Sequence, residues 1–154
     1  MDALVHVVGI GSPFGADRIG WRVVDELRRR PVVRRWGEKV RLSTLDRPGT
    51  GLMEQWRGAD LVILVDGMLS GAAPGMVRCV RPDELRAIFS QYSSHGLGVA
   101  ETFALAQALG SAPRSLTVIG VELTDDEGGQ REAAASAATR VIDEVEKRLE
   151  ISHA

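Results

Sequence analysis

Three side chains carry most of the chemical potential of this chain: Asp17, Asp66 and His95. Asp17 follows the β-branched run Val5-His6-Val7-Val8-Gly9-Ile10-Gly11, and Asp66 closes the apolar run Leu61-Val62-Ile63-Leu64-Val65. His95 sits in Ser93-Ser94-His95-Gly96-Leu97-Gly98, a small-residue loop leading into an Ala-rich helical stretch. In a doubly wound sheet, ligands bind beyond the carboxyl ends of the strands, where the strand order reverses. The two aspartates are therefore placed for a shared crevice. One imidazole and two carboxylates with open coordination positions suit a divalent transition metal better than a closed structural zinc site. The carboxylates are equally candidates for a general base. Each residue has a plainer alternative. Asp is a favoured helix cap, which would account for Asp17; Asp66-Gly67 reads as a turn; a loop histidine is commonly only solvated. His6, inside the first strand, and His153, in the tail, are weaker candidates.

Strands and helices in alternation must position these groups. After the first strand, Ile19, Val23, Val24 and Leu27 recur at helical spacing, and Arg28-Arg29-Arg30 complement the negative end of that helix before Pro31. Lys39 to Leu45 alternates weakly as a second strand, and Thr50 to Trp56 suits a short helix. Leu61 to Val65 is a third strand, Met76 to Val80 a fourth, and Ser115 to Leu123 a fifth. Pro82 marks a helix start. Val99 to Leu109 is a helix stopped by Gly110, and Glu132 to Leu149 a C-terminal helix; Thr124 to Arg131 reads as a surface loop. Strands that are apolar throughout indicate a parallel sheet covered on both faces. The fourth strand follows the third after about nine residues, too few for a helical crossover, so that pair is expected to be antiparallel. The expected fold is α/β: a three-layer α/β/α sandwich with a mixed, mainly parallel sheet of about five strands.

Gly9, Gly11 and Gly15 invite a nucleotide-binding reading, but their spacing is G-x-G-x-x-x-G and misses the dinucleotide fingerprint by one residue. Asp17 would also meet an incoming pyrophosphate at the helix N-terminus, which favours anions without such a neighbour. Asp46 matches the acidic ribose partner only with a stretched count. Glycines that permit a tight exit from a buried strand explain the pattern more simply.

Composition bounds the remaining choices. The chain has 154 residues, 19 Lys and Arg against 21 Asp and Glu, 44% hydrophobic residues and 26% charged ones. That length suits one domain, residues 1–154, able to bury roughly 70% of its unfolded surface. The net charge of −2 argues against a nucleic-acid partner. The longest apolar burst falls well short of the ~18–20 residues of a membrane span. Met1-Asp2-Ala3 lacks the basic start of a secretory leader. One cysteine, Cys79, excludes an internal disulfide and is expected to be a buried, inert thiol. A cytoplasmic monomer is the expectation.

At these residues the chain resembles the maturation endopeptidases of nickel–iron hydrogenases. Val8-Gly9-Ile10-Gly11-Ser12-Pro13-Phe14-Gly15-Ala16-Asp17-Arg18-Ile19-Gly20 is similar to that family's G-N-P-x-x-G-D-[DE]-x-x-G. Leu45-Asp46 with Gly49-Thr50-Gly51 resembles D-x-G-T-x-G, and Asp60 to Gly67 followed by Pro74-Gly75 resembles D-x-x-I-x-V-D-A…P-G-x. Ser94 to Gly98 resembles the family's histidine loop, and Val118-Ile119-Gly120-Val121-Glu122 its late I-G-[VI]-x-P strand. The resemblance implies a peptidase that removes a C-terminal extension from the hydrogenase large-subunit precursor after nickel insertion. It also implies that Asp17, Asp66 and His95 are both the catalytic set and the contacts to nickel carried by that substrate, with cadmium or zinc as adventitious substitutes. Several positions depart from the pattern. The first loop is one residue shorter, Ser12 replaces Asn, the acidic pair is reduced to Asp17 with Arg18 beside it, Gly67 replaces Ala, and Leu123 stands where the proline is expected. A non-proteolytic metal-recognition or scaffold protein of the same fold is the alternative. Ser93 and Ser94 adjoin His95, but sequence neighbours rarely reach nucleophile–base geometry. Metal activation of water and a carboxylate base therefore both remain open.

Overall fold

A computed structural model describes residues 4–11, 18–46, 50–85 and 99–153. Among those residues five strands form one sheet: β1 (Val5–Gly11), β2 (Val40–Asp46), β3 (Leu61–Met68), β4 (Val77–Val80) and β5 (Leu116–Glu122). Among the described residues the α-helices are α1 (Ile19–Arg29), α2 (Pro31–Trp36), α3 (Thr50–Gln55), α4 (Val99–Leu109) and α5 (Glu127–His153). The spatial order is β2-β1-β3-β5-β4. All pairs are parallel except β4 with β5.

Period-two alternation divides each central strand between two apolar layers. Val5, Val7, Leu61, Ile63, Val65, Ile119 and Val121 pack with α1 and the Ala-rich face of α5. Val8, Ile10, Val62, Leu64, Met68 and Val118 pack with Leu52 and Trp56 on one side and Val99 and Ala100 of α4 on the other. Burying both faces explains why β1, β3 and β5 show no polar alternation. The three-layer α/β/α sandwich with a mixed sheet is as expected. Among the described residues, no helix is long and apolar enough to cross a membrane.

Four local expectations are corrected. β4 is antiparallel, but to β5 and not to β3, because β5 inserts between them. β3 runs three residues beyond Val65, since the backbone of Asp66, Gly67 and Met68 stays in register with Gly120, Val121 and Glu122. α5 begins at Glu127, inside the stretch expected to be loop. The Asp126 carboxylate accepts from the Gly128 and Gly129 amides at 3.3 and 2.9 Å, a cap that lets a Gly-Gly pair enter a helix. Finally, α2 occupies a segment with no assigned element, and of its residues only Trp36 is buried.

Candidate functional site at the β1–β3 seam

β1 and β3 pair from Val5 opposite Leu61 as far as Gly9 opposite Val65. Beyond that point they part company. Ile10 and Gly11 continue with Leu45 and Asp46 of β2, while Asp66 to Met68 continue with β5. The chain turns from one side of β1 to the other between β2 and β3, so this opening is the topological switch point of the sheet. Asp66 is the first residue of β3 beyond the seam.

Asp66 is completely buried and lies within the β3 ladder, not just past its end, so the turn offered as its plainer role does not form. Alternation puts it on the face shared with Val62, Leu64 and Met68, the face that the start of α4 covers. Its Oδ1 accepts the Gly67 amide at 2.8 Å. Across the ladder lies Gly120, which adds no side chain beside the carboxylate. A carboxylate without bulk water needs compensating partners, and Asp66 has interactions beyond that amide.

The neighbouring elements are held against the seam by glycines. A Cβ on Gly20 would lie 2.1 Å from the Ile10 carbonyl oxygen and 2.6 Å from that of Val65. A Cβ on Gly9 would lie 2.2 Å from the Gly20 carbonyl oxygen. α1 therefore rests backbone to backbone on the two strands where they separate. Gly11 admits the Trp21 indole, whose Nε1 donates to the Leu45 carbonyl at 3.0 Å. Two of the glycines that suggested a phosphate loop are used for helix packing, which removes the basis of the nucleotide reading.

Asp17 and His95 lie outside the described residues. Their described flanks bear on the same region. Arg18, exposed, is the N-cap of α1 and gives that helix no side-chain cap; the capping position offered as a plainer role for Asp17 thus belongs to its neighbour. Val99, which opens α4 after the His95 loop, packs in the layer with Leu64 and Met68. Among the described residues, no group of three His, Cys, Asp or Glu side chains is arranged to hold a metal.

The other titratable residues resolve differently. His6 is buried and its Nε2 lies 2.7 Å from Ser43 Oγ, which in turn donates to Gln55 Oε1 at 3.2 Å. It pairs with Val62, four residues before Asp66, so it sits about 13 Å down the strand from the seam. Burial lowers its pKa below the ordinary imidazole value, and the nearby Arg41 charge acts in the same direction. Cys79 is half-buried, not fully buried as expected, and its Sγ lies 3.9 Å from the Glu144 carboxylate. A cavity of about 980 Å3 opens at the opposite, amino end of the sheet, lined by residues including Trp56, Asp60, Leu109 and Arg114. It lies at the end of the sheet away from the seam.

Glu122 is a residue that motif reading passed over except as the neighbour of a missing proline. It is buried at the carboxyl end of β5, opposite Met68 and on the same face as Asp66. A charged residue ending an otherwise apolar strand was the available signal.

In an open α/β sheet the ligand crevice opens at the carboxyl ends of the strands by the switch point, the end at which Asp66 is buried. Residues 22–149 match the family model described as hydrogenase maturation protease, and the chain belongs to that family. It is 36% identical over 134 residues to the hydrogenase expression/formation protein HoxM of Azotobacter vinelandii, covering 83% of this chain and 63% of that protein. It thus spans less than two thirds of that relative's length. It is 30% identical over 120 residues to the hydrogenase 2 maturation protease of Escherichia coli, covering 76% of this chain and 71% of that protein. Its fold is similar to that of the E. coli hydrogenase maturating endopeptidase HybD, with a TM-score of 0.74, 25% identity and coverage of 94% and 93% of the two chains.

Proposed function

We propose that this chain is a nickel-recognising endopeptidase, acting as a cytoplasmic monomer, that removes the C-terminal extension of a nickel–iron hydrogenase large-subunit precursor. The observation that carries the reading is Asp66, a wholly buried carboxylate at the first position beyond the opened β1–β3 seam. The family resemblance assigns that position to a nickel-contacting aspartate. Asp17 and His95 are its proposed companions, and together they supply one imidazole and two carboxylates, a donor set suited to a divalent transition metal. In this reading the nickel belongs to the substrate and reports that insertion is complete. The chain's own contribution is to orient the scissile segment at the seam and to offer a carboxylate, Asp17 or Asp66, that takes a proton from the attacking water.

The test is incubation with nickel-loaded and nickel-free precursor from the same source, followed by mass measurement of the large subunit. The parent protein is expected to shorten only the loaded precursor, and Asp66→Ala and His95→Ala to shorten neither. No shortening by the parent, or undiminished shortening by both variants, overturns the proposal.

A further inference from the structure

One residue holds both limbs of the loop that leaves the seam. Residues 69–76 join β3 to β4, and Glu122 on the intervening strand contacts each end. Its carboxylate accepts the Ser70 amide at 3.2 Å on Oε1 and 2.9 Å on Oε2, and it accepts the Ser70 hydroxyl on Oε1. Its backbone amide donates to the Met76 carbonyl at 2.8 Å, and its carbonyl accepts the Gly75 amide at 2.9 Å. Next to it, the Leu123 amide donates to the Met68 carbonyl at 3.0 Å. Gly71 and Gly75 both take φ of +84°, a left-handed conformation that glycine adopts without steric cost. The loop is thus braced at its base by a buried charge, far more than surface exposure of the connection requires.

The braced loop presents Leu69 and Met76 to solvent, at 62% and 49% exposure. Leu69 follows the residue opposite Glu122, and Met76 is bonded to Glu122 from the other side, so the two apolar side chains flank the end of β5. Met68, at the base of the loop, is two residues beyond Asp66 on the same strand and face. We propose that Glu122 is a positioning residue that fixes the 69–76 loop as a specificity rim beside Asp66, with Leu69 and Met76 gripping an apolar part of the precursor chain. This rests on the peptidase reading above. A charge-assisted anchor suits the task because it holds main-chain and hydroxyl donors in one geometry, so binding energy is not spent on ordering the loop.

The test measures kcat and KM separately with nickel-loaded precursor, and amide hydrogen exchange of residues 69–76 without any substrate. Glu122→Ala is expected to raise KM about tenfold with kcat little changed, and to accelerate exchange in the loop but not in β1 or β3. Glu122→Gln keeps an acceptor oxygen for the Ser70 amide and should restore most of both properties. Leu69→Ser, on an exposed side chain, is expected to raise KM while leaving loop exchange and the unfolding midpoint at parental values. Parental KM in Leu69→Ser overturns the rim, and so does a Glu122→Ala defect confined to kcat and thermal stability. If the parent cleaves no loaded precursor, the peptidase reading fails first; the exchange measurement still decides the clamp, which unchanged exchange in Glu122→Ala would overturn.

Discussion

Asp66 combines two properties that oppose one another, complete burial and a carboxylate that favours water. Such groups cost stability unless paired, and they persist where chemistry needs them. Asp66→Asn keeps the volume and an oxygen that can accept the Gly67 amide, while it removes the charge and turns the second carboxylate oxygen into an NH2 donor. Precursor cleavage is expected to fall by at least about a hundredfold, with folding stability within about 1 kcal/mol of the parent in urea. His6 is the complementary case, a buried imidazole with no part in the seam. Its lowered pKa means that well above pH 6.5 the ring is neutral in both the folded and unfolded chain. As pH falls below 6.5 the unfolded chain takes up the proton first, so stability declines until the pH has passed through the lowered folded value. The slope is at most about 1.4 kcal/mol per pH unit for one group. His6→Leu is expected to flatten that part of the curve in urea titrations run between pH 7.5 and 5; an unaltered slope would assign the acid sensitivity to other groups.

At the scale of elements, the seam depends on how closely α1 approaches β1 and β3. Gly20→Ala puts a methyl group against backbone atoms of Ile10 and Val65, neither of which can swing aside as a side chain would. The expected loss is roughly 3 kcal/mol, seen as a lower urea midpoint, with cleavage reduced further than stability alone explains because the helix is displaced at the seam. A variant of parental stability would show that α1 is not tightly seated there. The same close approach explains why the Gly9–Gly11 pattern imitates a nucleotide loop. Both motifs place glycine where a strand meets a helix start, one to admit phosphate and the other to admit a helix backbone. β3 shows the limit of turn signals: Asp66-Gly67 is a turn pair by residue type, yet its ladder with β5 keeps it extended.

For the molecule as a whole, the edges of the sheet bear on self-association. β4 is four residues long with Arg78 exposed, and β2 exposes Arg41, Thr44 and Asp46 along its length. Short edge strands carrying charged residues resist pairing with a second copy. Sedimentation equilibrium is expected to give the mass of a single chain at micromolar concentration, and a dimer would require another interface. Within the helical layer that α1 and α5 share, the packing is supplemented by an ion pair: Arg22 of α1 forms a two-pronged pair with Glu127 at the start of α5, both contacts at 2.9 Å. That pairing draws the Glu127 pKa below its ordinary value.

Hydrophobic patterning made the three central strands and α1 legible from residue order, because burial on both faces leaves an uninterrupted apolar run and helix packing leaves a 3.6-residue stripe, while α4 was legible as an Ala-rich stretch stopped by Gly110. It also marked Asp66 as a residue at the end of such a run, and the ordered motifs identified the family. Pairing between distant strands lay outside that record. Nothing local distinguishes a β4 paired with β3 from one paired with β5, nor shows that the Asp66 backbone stays in the ladder, nor that Glu122 meets Ser70 across the sheet. Those facts arise when β5 enters between β3 and β4: strand order is set by which faces and edges can all be buried at once, a property of the assembled layers and not of any segment within them.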